Sequence, residues 1–217
     1  IDDTRMFEKF GLSMVETNKY EVNIIGFDSK NAQTVNGLAF HPIKAFERTS
    51  LKRFFEPFRT FKKYLQVKPE IIIINTHELL LVTILYKILF GCRFIYDIRE
   101  NYKKNILHSG VFSTALKFPL AYWVRWKEWV TKPFVNHFIL AERVYEKQLP
   151  FLSKNRSIIE NKYAPQPNES TAYRNPEPDQ LNLVFTGTIS ASNGIFDAIN
   201  ITKALHELDE SVRLRIV

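Results

Sequence analysis

The sequence predicts an α/β protein built on a parallel sheet, followed by the start of a second unit of the same kind. Three observations carry this. Short apolar, β-rich runs alternate with longer stretches of helical period. One run, Ile71-Ile72-Ile73-Ile74, is apolar at every position, as a strand covered on both faces should be. A polar, proline-rich stretch then sets residues 181–217 apart from everything before it.

The elements follow in order. A helix over 5–17 opens the pattern with no strand ahead of it, although later helices have one, so a strand upstream of Ile1 is expected. Strands are predicted at 20–27, 38–43, 70–75, 93–98, 137–141, 157–160, 182–187 and 213–217, with helices at 45–66, 77–90, 111–133, 142–149 and 193–208. Gly26, Gly91 and Gly187 stand at predicted element ends, where a tight backbone is often needed. Residues 165–180 hold four of the ten prolines and almost nothing apolar, which reads as a linker. Residues 181–217 spell one strand–turn–helix–strand unit, too small to bury its own sheet face. The pattern therefore predicts a fragment at both ends, with domains at 1–164 and 181–217.

Composition bounds the function. At 217 residues, 45% hydrophobic and 24% charged, the chain is neither mostly disordered nor collagen-like. A single cysteine, Cys92, excludes a disulfide framework and a multi-cysteine metal site, and fits a reducing compartment. Thirty Lys+Arg against 23 Asp+Glu give a net charge of +7, which favours an anionic partner. Residues 1–5 lack the apolar core of a secretory signal. The apolar stretch 79–90 is too short to span a bilayer and carries Lys87, so it reads as a buried helix. The expectation is a soluble, cytoplasmic protein.

Several motifs then fall into a familiar order: Asp3-Thr4-Arg5 before a helix, 20–26 ending in Gly26, and 69–78 ending in Asn75-Thr76-His77-Glu78. They continue with Asp97-Ile98-Arg99-Glu100, 138–142, 158–161, and 183–187 ending in Gly187, with Ser192-Asn193-Gly194 beyond. Together they resemble GT-B glycosyltransferases of family 4 over nearly the whole chain. The resemblance implies two Rossmann-like, doubly wound parallel domains, an N-terminal acceptor domain and a truncated C-terminal domain for the nucleotide-sugar donor. It implies a retaining transferase that moves a sugar from a nucleotide diphosphate-sugar to a glycan or lipid-linked acceptor in cell-surface polysaccharide synthesis. No metal or other cofactor is called for. The glutamate pair usual much later in the donor domain is not within this sequence, so this fragment alone is expected to be inactive.

Open α/β sheets place ligands beyond the carboxyl ends of their strands. That rule brings His77 and Glu78, after one predicted strand, and Asp97, Arg99 and Glu100, at the end of the next, toward one crevice. An acid, a base and a cation there suit a sugar hydroxyl beside a phosphate. His77 and Asp97 are the catalytic candidates, and Glu78, Arg99 and Glu100 the acceptor-binding ones. The bland reading is that His77 and Glu78 only start the next helix. Many relatives have histidine where Arg99 stands; a guanidinium can clamp phosphate but cannot shuttle a proton near neutrality. Arg5 near a helix start, with Gly187, Thr188 and Gly194 around a strand–turn–helix, are candidates for the donor phosphates. The alternative for Arg5 is an ordinary solvated arginine. Relatives carry a glycine pair near Arg5 and a cation near Ser190–Asn193, and this chain has neither.

Residues 48–68 hold seven Lys/Arg against one acid, Glu56, with Phe54, Phe55, Phe58 and Phe61 at helical spacing around Pro57. The stripe is either a surface helix whose rings pack on the sheet, or an anionic membrane surface contact through Lys52, Arg53, Lys62 and Lys63. Nucleic acid is disfavoured, since no accompanying signature exists. Trp123, Trp126 and Trp129, spaced by three, are expected to place at least one ring in the core. Two other functional readings stay open. One is a nucleotide-sugar epimerase or dehydrogenase, disfavoured by the lack of a G-x-G-x-x-G after any strand. The other is a non-catalytic binding module of the same fold.

Overall fold

The computed structural model describes residues 3–28, 34–45, 50, 52–108, 112–162, 181–187 and 189–217, with only the backbone of 52–54 and of 192. The chain divides into two compact units, Ile1–Tyr163 and Ala164–Val217. The predicted linker over 165–180 lies outside the described residues.

The first unit begins with a π-helical segment, Thr4–Leu12, that runs into a short α-helix, Ser13–Glu16 (α1). Strands Val22–Phe27 (β1) and Leu38–Ile43 (β2) pair in parallel as a two-stranded sheet. Helix Lys52–Val67 (α2) leads to a second, four-stranded sheet. That sheet comprises Ile71–Ile74 (β3), Arg93–Ile98 (β4), His137–Leu140 (β5) and Arg156–Ile158 (β6), parallel and side by side in chain order. Helix Leu80–Phe90 (α3) connects β3 to β4. Tyr102–His108 (α4) and Thr114–Thr131 (α5) connect β4 to β5, and Tyr145–Gln148 (α6) lies before β6.

The parallel α/β reading is therefore right, but the expected single sheet is two. No ladder joins β1 to β3 among the described residues.

Pleating decides what each strand buries. Ile72 and Ile74, Phe94, Tyr96 and Ile98, and Phe138 and Leu140 face one way and form the main core with Tyr64, Leu80, Ile84 and Tyr86. Successive parallel strands in one direction need right-handed crossovers, which puts α2, α3 and α5 on that same face; α2 packs on α3, and α3 on α5. Two burial expectations fail. Helix α3 is not a buried helix, since Leu81, Leu85, Ile88, Leu89 and Phe90 are exposed. None of the three tryptophans enters the core; their exposures are 49%, 50% and 50%. The physical reason is the same for both helices: the sheet is one layer deep and can cover only one stripe of each.

The first helical segment packs on β1 and β2 through Gly11, where an added Cβ would lie 3.1 Å from Ile24 Cδ1, 3.1 Å from the Met6 carbonyl and 3.2 Å from Leu38 Cδ1. Phe7 meets Phe40 beside it. Gly11→Leu should cost about 1–3 kcal/mol in urea unfolding, from overpacking against backbone and two strands; a loss below about 0.5 kcal/mol would contradict this close approach.

Candidate functional site

The register pairs Ile74 with Tyr96, so β3 and β4 end on the same rim. Beyond β3, Thr76 is the N-cap of a short 3-10 turn, His77–Leu79, and its hydroxyl accepts from the Glu78 amide. The same hydroxyl donates to the Glu78 carboxylate. Glu78 Oε1 lies 3.5 Å from His77 Nε2. The opposite nitrogen, Nδ1, is 3.0 Å from Lys127 Nζ, and the same ammonium donates to the His77 carbonyl at 3.2 Å. An ammonium only donates, so Nδ1 is the acceptor and the ring proton sits on Nε2, toward Glu78. Tyr102 closes the group edge-on to His77, ring centroids 4.8 Å apart, and donates to the Asn75 carbonyl at 2.5 Å. Burial, with the Glu100 and Glu78 carboxylates nearby, holds the Tyr102 phenol far above its ordinary range, so it stays a donor.

Lys127 comes from α5, which buries Lys127, Glu128 and Thr131 beside the apolar Ala121 and Val124. Glu128 is paired with Arg125 at 3.0 Å and accepts from the Tyr96 hydroxyl at 3.4 Å. Arg125 in turn donates to Asn101, which bonds Gln148. Burial pushes the Glu128 carboxyl up to about 7, against the pull of Arg125.

Asp97 sits on the same rim but not in this group. It alternates with Tyr96 and Ile98, so the pleat sends it to the other face of the sheet. There it meets Arg5: Nε donates to Oδ2 at 2.8 Å and Nη2 to Oδ1 at 2.6 Å, with exposures of 0% and 1%. Arg5 Nη1 donates to the Ile159 carbonyl and to Asn161 Oδ1. The guanidinium expected to meet a phosphate is thus spent on protein acceptors, and both oxygens of the expected catalytic carboxylate are taken. The pair ties the first helical segment to β4 and to the chain beyond β6.

Arg99, one third exposed, binds Asp3 at 2.8 Å. Burial would raise the Asp3 carboxyl, but the Met6 amide and the Arg99 guanidinium outweigh it and hold it below its usual value. Glu100 is exposed and bonded to Asn105. In the second unit, Asn182–Phe185 (β7) and Arg213–Ile216 (β8) pair in parallel around helix Ile195–His206 (α7). Gly187 and Gly194 have φ of +123° and +84°, conformations that favour glycine. Gly194 is the N-cap of α7, with Asp197 in its first turn; Thr188 lies outside the described residues. In the basic stripe, Lys62 is exposed and Lys63 half-buried, while the side chains of Lys52 and Arg53 lie outside the description.

Reading the sequence missed Lys127, Glu128, Tyr102 and the whole of α4. The α4 start carried a signal: Asn101, whose Oδ1 accepts from the Lys104 amide, is a good cap residue. Lys127 and Glu128 carried none, because charges among tryptophans are normally assigned to solvent. No protein-family model matches the chain, and no curated protein matches it.

Two stability effects follow. Asp97→Asn or Arg5→Met should each cost about 3–5 kcal/mol, leaving the partner buried and uncompensated, with the double variant costing less than the sum; additive costs in denaturant unfolding would deny the pairing. Glu128 is raised when folded, so the native state holds its proton up to about pH 7 while the unfolded chain releases it near its ordinary value. Its contribution is therefore present at low pH and lost as pH rises toward 7. Relative to Glu128→Gln, the native protein should lose on the order of 1–3 kcal/mol between pH 5 and 7.5. Parallel pH curves for the two proteins would contradict this.

Proposed function

We propose that the first unit is the acceptor-side lobe of a GT-B type glycosyltransferase, resembling family 4, that transfers a sugar from a nucleotide diphosphate-sugar to a hydroxyl acceptor. The observation that carries the reading is the Lys127–His77–Glu78 group under Tyr102, on the carboxyl rim of adjacent parallel strands. This rim is where open α/β sheets take ligands.

In this reading the ammonium behind His77 fixes the tautomer of the ring, which turns Nε2–H toward Glu78. The Glu78 carboxylate accepts from the acceptor hydroxyl, and His77 orients that carboxylate. Retention lets the departing diphosphate take the acceptor proton, so the lobe needs to position a hydroxyl more than to deprotonate it. Arg99 and Glu100, on the neighbouring loop, supply further contacts to the acceptor; Arg5 and Asp97 hold the rim together. A turn that favours glycine at both ends, before α7, supports diphosphate recognition by the second unit.

The test is nucleoside diphosphate release from a panel of nucleotide-sugars by the full-length protein, with membrane extracts supplying acceptors. His77→Ala and Lys127→Met should lower kcat about 10–100-fold with the fold retained by circular dichroism. Turnover of no donor, or unchanged kcat in His77→Ala, overturns the reading.

A further inference from the structure

Helix α5 buries Lys127, Glu128 and Thr131 beside Ala121 and Val124, while its exposed side carries Leu116, Phe118, Tyr122, Trp123, Trp126 and Trp129. Trp123 and Trp126 stack on each other at 4.8 Å in the open. Neighbouring α3 adds Leu81, Leu85 and Ile88, one exposed stripe at helical spacing, and α2 adds Phe55, Phe58 and Leu65. These three helices pack in sequence on one side of the sheet. An apolar surface of this extent marks a place where something docks.

Charge selects the occupant. Across α2, α3 and α5 the sequence has two acids, Glu56 and Glu128, and both are buried. The charge these helices present outward is wholly positive, with Lys62 and Arg59 exposed on α2. At the margin, Lys103 lies 4.1 Å over the Tyr122 ring and Lys132 lies 5.6 Å over the Trp129 ring. Apolar centre, tryptophans, and cations without carboxylates match the layers of an anionic bilayer: acyl boundary, interface, headgroups. No described helix is long and apolar enough to cross a membrane, so the contact is lateral.

We propose that the outer face of α2, α3 and α5 seats on the surface of an anionic lipid bilayer, with the three α5 tryptophans at headgroup depth. The face differs from the contact expected from sequence: the cations of α2 form its edge, and the apolar sides of α3 and α5 its centre. It runs up to the candidate site, since Trp123 lies 6.0 Å from Lys127 Nζ. Docking does not depend on sugar transfer, so the two readings can fail separately.

All the tryptophans of the protein lie on this face, so its own fluorescence reports docking. The protein is mixed with vesicles of equal parts phosphatidylglycerol and phosphatidylcholine, or of phosphatidylcholine alone. Partition measured by sedimentation should be roughly tenfold or more higher on the anionic vesicles. Emission should shift to the blue and be quenched by lipids brominated near the headgroup. The triple variant Trp123→Ser, Trp126→Ser, Trp129→Ser, and separately Leu85→Glu with Ile88→Glu, should each lose about tenfold in partition while keeping the native circular dichroism spectrum. Equal partition on both vesicles, no partition, or unaltered binding by both variants overturns the proposal. So does self-association without lipid that buries the tryptophans and leaves vesicles unbound.

Discussion

The bidentate pair between Arg5 and Asp97 is the constraint on which the arrangement of the first unit depends. A carboxylate with no exposure is tolerable only when its charge and both oxygens are matched, and Arg5 does both. Because Arg5 also bonds the Ile159 carbonyl and Asn161, one side chain links the first helical segment, the centre of the four-stranded sheet and the chain beyond β6. Asp3, two residues earlier, caps the same segment and holds Arg99. The rim of the sheet is thereby fixed on one face by ion pairs, which leaves the other face for the group built on His77.

That division explains how two adjacent strands contribute so differently. The residues after β3 turn toward α5 and meet Lys127 and Tyr102. The last residues of β4 alternate, Tyr96 reaching Glu128 on the helical side and Asp97 reaching Arg5 on the other. Helix α5 then serves two environments, presenting Lys127 and Glu128 inward beside Ala121 and Val124, and aromatic rings outward. A helix so arranged costs free energy in water on both counts, and the inward polar chain from Asn101 through Arg125 and Glu128 to Tyr96 offsets one of them.

The strands were legible because period and composition report them directly: β2 and β4 stand at the predicted bounds, and the other six differ only at their ends. The rim positions of His77 and Asp97 followed from strand order, a rule of topology. What was not legible depends on which way a side chain points once neighbours exist. The pleat parity that separates Asp97 from His77 needs the exact strand bounds. The partner of Arg5 lies 92 residues away, and no local pattern encodes it. That α5 would bury Lys127 and Glu128 and expose its tryptophans was hidden because periodicity gives an axis of amphipathicity and not its sign when both stripes carry large side chains.

Arg5 is a structural cation closed off by Asp97. The Nε–Hε resonance of Arg5 in a nitrogen-15 correlation spectrum, assigned with Arg5→Lys, reads that state. It should exchange slowly with water and stay in place when nucleoside diphosphate is added. A resonance lost to rapid exchange with water, or one that shifts with diphosphate, would contradict that closure.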